Sequence, residues 1–165
     1  MASSKLAVLV IADGMRRDFI NDQCTPFLMS LRKRALWCSR HRSVVPCVTR
    51  TAASSIATGC YPDKHELAGN KLCLRGPEGL IACDAGKPEF FRDALQMRGY
   101  VLARPTLAQL TAGIGGARIY GNASPGAAYV HDPLHCGYVF HRAASFAPGG
   151  KALDGEEARF RAGLC

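Results

Sequence analysis

No apolar run in the 165 residues exceeds the seven of Leu6–Ala12 (LAVLVIA), so no segment can cross a bilayer as a helix, which takes about 20 apolar residues. That run is no export signal either: Asp13, Arg16, Arg17 and Asp18 follow where a small-residue cleavage site belongs, and a cytoplasmic setting is expected. The eight cysteines, at 24, 38, 47, 60, 73, 83, 136 and 165, include no Cys-x2-Cys pair, which excludes a zinc knuckle or a dithiol redox motif. Reduced thiols are the expected state, since a chain of this size forms a core without staples. Other motifs are missing too. There is no Gly-Lys-Ser/Thr phosphate loop and no Gly-x-Ser-x-Gly elbow, and Gly113–Arg118 has Arg where a dinucleotide fingerprint needs its third glycine. No tandem repeat or low-complexity tract occurs.

What is present is the composition of a globular protein, 48% hydrophobic and 21% charged, at a length that suits one domain. The net charge is +8, and residues 1–80 carry +6 of it. A positive field attracts anions of any kind, phosphates among them, and reports on partners rather than chemistry.

An all-apolar Leu/Val/Ile run followed at once by Asp-Gly reads as a central parallel strand covered on both faces, with Asp13 at its carboxyl end. Thr25-Pro26 opens a helix, with Thr25 as a possible N-cap, that runs to about Leu36. Arg40–Val45 reads as a short strand closed by Pro46, and the small residues from Thr49 to Thr58 as a helix ended by Gly59. Helices are also expected at 88–97 and 106–112, and strands at 71–74, 118–120 and 138–141. Turns fall at Gly76-Pro77, Ser124-Pro125-Gly126 and Asp132-Pro133. Strands alternating with helices predict a layered α/β fold with a mainly parallel sheet flanked by helices. Such sheets bind ligands at the carboxyl ends of their strands, where Asp13 falls.

The segments Val8–Asp18 (VLVIADGMRRD) and Val45–Asn70 (VPCVTRTAASSIATGCYPDKHELAGN) carry four elements in order: an apolar strand ending in Asp-Gly, Pro-x-x-Thr, Thr-Gly-x-Tyr-Pro-x-x-His, and an Asn. The intervals are 36 residues from Asp13 to Thr49 and 21 from Thr49 to Asn70. Together they resemble the type I phosphodiesterase/nucleotide pyrophosphatase family of the alkaline phosphatase superfamily. A looser likeness runs through residues 104–107 and 122–132. The resemblance implies an alkaline-phosphatase-like fold and a hydrolase of phosphodiester or pyrophosphate bonds acting on phosphate esters or nucleotides. It makes Thr49 the nucleophile and a metal donor, Asp13 a metal carboxylate and Asn70 a phosphate-binding residue. It also implies two zinc ions in the complete enzyme, with the other ligands, three His and two Asp, expected beyond residue 165. Residues 1–165 then form the N-terminal part of one catalytic domain, truncated and inactive by itself.

Each assignment has a physical basis and a plainer rival. A strand-end carboxylate is a hard ligand suited to a dication, while Asp-Gly is also an ordinary turn. A Thr hydroxyl at a helix start meets anions among free N–H groups and needs a cation or base to attack phosphorus; Thr is equally a common N-cap. The Asn70 amide can hold a phosphoryl oxygen, or Gly69-Asn70 can be a simple turn. His65 reads as a loop-shaping residue. The family usually has Gly after this histidine and this sequence has Glu66, a change bearing on loop geometry or rim charge. His131, His135 and His141, with Asp132, match none of the family's metal motifs and read as solvated or hydrogen-bonded. The rival functions are a non-catalytic anion-binding remnant and a nucleic-acid module on Arg32, Lys33, Arg34, Arg40 and Arg42, which lacks interleaved aromatics. No specific nucleic acid and no membrane partner is expected; self-association through an exposed sheet edge is.

Overall fold

The structure is a computed structural model that describes residues 6–163. The chain divides between Arg42 and Ser43 into two compact units.

In the first unit the apolar run 6–12 takes no regular secondary structure and has no ladder partner among the described residues. Its side chains are bare on both faces; Val10 is 82% exposed. The expected central parallel strand is therefore not formed. A strand apolar on both faces is held by neighbours on both edges and covering helices, and the described residues supply neither. The chain then turns through Asp13-Gly14, where the Met15 N–H donates to Ala12 O and Gly14 takes φ 72°. A 3-10 turn at Arg17–Phe19 precedes α1 (Pro26–Arg32), with Pro26 at its first position. Thr25 does not cap α1 by its side chain. Its Oγ1 instead donates to Phe19 O and accepts from the Asn21 N–H, while Asn21 Oδ1 accepts from the N–H groups of Gln23 and Cys24. The helix stops at Arg32, short of Leu36, and the Arg32 guanidinium lies over the Trp37 ring, 4.3 Å from its centroid. No strand forms at 40–45.

The second unit holds the core. Helix α2 (Thr49–Thr58) has the expected bounds and ends at Gly59 in the left-handed conformation. A short α3 (Pro62–His65) leads to a hairpin of β1 (Lys71–Gly76) and β2 (Gly79–Asp84), whose register runs from Lys71 opposite Asp84 to Gly76 opposite Gly79. Then come α4 (Glu89–Arg98), α5 (Leu107–Thr111), β3 (Arg118–Gly121), α6 (Pro125–Tyr129), β4 (Tyr138–His141), β5 (Ser145–Phe146), β6 (Ala152–Leu153) and α7 (Gly155–Ala162). Thr106 closes a reciprocal capping box with Gln109 at the start of α5.

The fold is mixed α/β, with seven α-helices and two small sheets among the described residues. In the order β3-β4-β5-β6, only β3 and β4 run parallel; β4–β5, β5–β6 and the separate β1–β2 hairpin are antiparallel. The expectation of a mainly parallel sheet is corrected accordingly. The reason is local. Pro77-Glu78 between two glycines makes a tight link that only antiparallel strands can use, and β4 and β5 are three residues apart, far too close for a parallel crossover.

The core of this unit is built on Leu67, Phe90, Ala94, Val101, Val130 and Val139, each nearly or fully inaccessible. Aromatic edges tie its parts together: Phe90 meets Phe91 at 5.6 Å, Phe91 meets Tyr129 at 5.8 Å, and Tyr129 meets Phe146 at 5.7 Å. Helix α2 buries Thr51, Ala53, Ser54 and Ala57 and contacts α6, whose buried residues are Gly126, Ala127, Ala128 and Tyr129. Small side chains on both helices allow that close approach. Two α2 hydroxyls bond back into the helix, Ser54 Oγ to Arg50 O and Thr58 Oγ1 to Ser54 O, each at 2.8 Å, while buried Thr51 Oγ1 has no partner among the described residues.

Among the described residues no helix is long and apolar enough to cross a membrane. Cys24, Cys38, Cys47, Cys60, Cys73, Cys83 and Cys136 are free thiols.

Candidate functional site

Thr49 is the first residue of α2 and is exposed. It is not the N-cap. That position belongs to Val48, which has no side-chain acceptor, so no side chain caps the helix start. The plainer capping role for Thr49 is thereby removed, and its hydroxyl stands at the end of a helix whose first N–H groups favour anions.

Arg50, the next residue, reaches away from α2 toward the open end of the β1–β2 hairpin. Its guanidinium stands 3.8 Å from Asp84 and packs on Gly86, filling the space that a Cβ there would take. Asp84 lies opposite Lys71, and the Ala85 N–H donates to Asn70 O at 3.0 Å. The helix start bearing Thr49 and the strand start bearing Asn70 are thus fastened to one short stretch, Asp84–Gly86. The Gly86 N–H bond to Asp84 Oδ1 (2.8 Å) does most to hold that carboxyl below the ordinary carboxylate range, and Arg50, Lys87 and Lys71 add to it. Asn70 itself is exposed. Sequence reasoning overlooked Arg50 and Asp84 because it overlooked β2, although Gly79 and the apolar run after it, ending at Asp84, signalled a hairpin partner for β1.

His65 is fully buried at the end of α3. The Leu67 N–H donates to its Nδ1 at 3.1 Å, which requires that nitrogen to be unprotonated, so Nε2 carries the proton and faces Ser55 Oγ at 2.8 Å. Burial lowers its pKa, against smaller opposing effects from its own backbone and Asp63. With both nitrogens occupied, His65 fastens the α2–α3 corner and offers no proton to a ligand. Glu66, at the position where the family usually has Gly, takes φ 63°, the left-handed conformation Gly adopts at no steric cost. Its carboxylate accepts from Tyr100 OH at 2.7 Å and lies 3.8 Å from Arg98. The Glu66 charge is engaged by Tyr100 and Arg98.

Asp13 lies exposed in its turn in the first unit. Among the described residues no group of three His, Cys, Asp or Glu side chains is placed to hold a metal ion. Asp13 and Thr49 are one carboxylate and one hydroxyl, two donors where a catalytic zinc takes three protein ligands, and the described residues supply no third. Of the histidines of the second half, His141 is engaged at both ring nitrogens, whereas His135 Nδ1 is buried without a hydrogen-bond partner among the described residues. Nε2 of His141 bonds Ala123 O, and its Nδ1 accepts the Ala143 N–H, each at 3.0 Å. Buried Asp132 accepts the N–H groups of Cys136 (2.8 Å) and Gly137 (2.7 Å), which shapes the loop before β4.

The model of one protein family, described as type I phosphodiesterase / nucleotide pyrophosphatase, matches residues 7–123, a span that includes Asp13, Thr49 and Asn70. No curated protein and no solved structure matches.

Proposed function

The chain belongs to the type I phosphodiesterase / nucleotide pyrophosphatase family, and from that premise we propose that it carries the nucleophile and a phosphate-binding residue of a hydrolase acting on phosphodiester or pyrophosphate bonds. Thr49 Oγ1 attacks phosphorus, the bond to one alcohol or phosphate breaks as the Oγ1–P bond forms, and water then cleaves the phosphothreonine ester. Asn70 donates its amide N–H to a non-bridging oxygen as negative charge develops there. The α2 N-terminus adds its partial positive charge beside the same oxygens. Substrates are phosphate esters or nucleotides.

The observation that supports this reading best is the placement of Thr49: exposed, at the first position of a ten-residue helix, with no capping duty. The fastening of α2 and of the chain at Asn70 to Asp84–Gly86 is a second support. The family is generally metal-dependent, and metal dependence belongs to the proposal, with Asp13 and Thr49 as donors and zinc as the ion. The single-domain assignment belongs to it as well, with residues 1–165 as part of one alkaline-phosphatase-like catalytic domain.

The test is hydrolysis of bis(p-nitrophenyl) phosphate with and without zinc, followed by mass spectrometry of the quenched protein. Residues 1–165 by themselves are expected to show little or no turnover; in a form of the protein that turns over substrate, a phosphoryl adduct on Thr49, absent from Thr49→Ala together with turnover, is the expected result. A Thr49→Ala protein that keeps the rate removes the nucleophile assignment. Zinc-stimulated turnover by residues 1–165 alone would overturn the reading that Asp13 and Thr49 need further ligands.

A further inference from the structure

The one parallel strand pair among the described residues, β3 and β4, ends in register at Gly121 and His141. A groove of about 400 Å³ opens just past those ends, bounded on its far side by α7 through Ala158, Arg159 and Ala162. Both its place and its size are those of small-ligand sites, which lie outside the carboxyl ends of parallel strands and measure about 300–1,000 Å³. Neither Thr49 nor Asn70 lines it.

Its lining has two characters. Phe140 and Tyr120, paired across β4 and β3, stack with centroids 5.0 Å apart at 23°, and Tyr120 remains 56% exposed, leaving aromatic surface uncovered. Arg142 and Arg159 are both exposed, and neither has a carboxylate within 4.0 Å among the described residues. Of the two α7 acids, Glu157 is bonded to Arg161 at 3.0 Å, and Glu156, three residues before Arg159, makes no ion pair with it within 4.0 Å. His141 offers no free nitrogen, so the groove is equipped to bind and not to move protons.

We propose that this groove binds a small planar anion, an aromatic ring carrying a phosphoryl group, with the ring against Tyr120 and Phe140 and the anionic oxygens on Arg142 and Arg159. Guanidinium pairs suit phosphoryl oxygens because they donate parallel N–H bonds, and an aromatic floor suits a ring without hydrogen-bond demands. The inference goes beyond the hydrolytic reading and does not depend on it.

The probe is phenylphosphonate, which has no ester bond to hydrolyse, titrated by calorimetry and by amide chemical shifts. Expected are saturable binding with shifts centred on Gly121, Asn122 and Arg142, and about tenfold weaker binding in Arg142→Ala and in Arg159→Ala. Tyr120→Ala is expected to weaken binding about fivefold. Inorganic phosphate and phenol are each expected to bind more weakly than the probe. Phosphate binding as tightly as phenylphosphonate overturns the aromatic contact, and phenol doing so overturns the charge contact. No shift at Gly121 and Asn122 in the wild-type chain overturns the site without recourse to variants. Thr49→Ala is expected to bind the probe like wild type; lost binding there would move the ligand to Thr49 and refute a separate groove. Probe binding and turnover both kept in Thr49→Ala would leave this inference standing and the nucleophile reading fallen.

Discussion

The buried His65 makes the second unit acid-sensitive, by an amount that can be worked out. Its folded-state pKa lies below the ordinary value of about 6.5, burial being the main cause. As pH falls below about 6.5 the unfolded chain takes up the proton first, so it binds more protons than the folded chain and stability falls with pH. The contribution is fully present above the unfolded value and is lost as pH drops toward the folded one. While the folded ring stays neutral, the loss between pH 6.5 and 5.5 is as much as about 1 kcal/mol, approaching about 1.4 kcal/mol per pH unit further down. Protonation would also set a second N–H against the Leu67 N–H, which already occupies Nδ1. The informative variant is His65→Asn, whose Oδ1 can still accept the Leu67 N–H while nothing titrates. It is expected to be less stable at pH 7.5 by about 2 kcal/mol, from lost ring volume and the lost Ser55 contact, with a shallower fall in stability from pH 6.5 to 5.5. Urea unfolding at three pH values measures both. Equal slopes in the two proteins, or a His65 ring that titrates at or above 6.5 by NMR, would refute the burial argument. His131 and His135, also lowered by burial, contribute slope of the same sign in both proteins and cancel in the comparison.

Three further outcomes follow from particular contacts. Glu66 bears the left-handed backbone that the family's usual Gly bears freely. Glu66→Ala and Glu66→Gly both lose the Tyr100 bond and only alanine keeps that cost, so Glu66→Ala is expected to be about 1 kcal/mol less stable than Glu66→Gly in urea; an alanine variant as stable as the glycine one refutes this. Gly126→Ala would set a methyl group against Ala85 O and Gly86 Cα where α6 meets that loop, a cost of about 1–3 kcal/mol by thermal melting. Gly155→Ala, with open space around it, is expected within about 0.5 kcal/mol of wild type, and equal effects at the two sites would sink the argument. The bare apolar run 6–12 is expected to drive self-association, seen by light scattering and reduced by Val8→Lys with Val10→Lys; a monodisperse wild-type monomer would show that the run is covered in solution.

Local chemistry alone determined several elements. Helix α2 was legible to the residue because small residues lie between a helix start at Thr49 and a left-handed Gly59, signals that act within one turn. Strand β4 was legible at its observed bounds, and α5 within the expected 106–112, while its Thr106–Gln109 capping box emerged only in the structure. The four motifs around Asp13, Thr49, His65 and Asn70, in order and at their intervals, together carried the family. Long-range pairing was not legible. Leu6–Ala12 has a buried strand's composition, but a strand exists only where another edge meets it, and composition does not say whether one does. Thr25 looks like a cap, and its hydroxyl is taken by Phe19 and Asn21 because loop geometry brings them closer than the helix N–H groups. Only the tertiary structure brought Arg50 to Asp84, fastened Asn70 to the same loop, and left Arg142 and Arg159 unpaired beside an aromatic floor. Each of those depends on chain segments far apart in sequence meeting in space, where energies are set by distance and burial and not by neighbours along the chain.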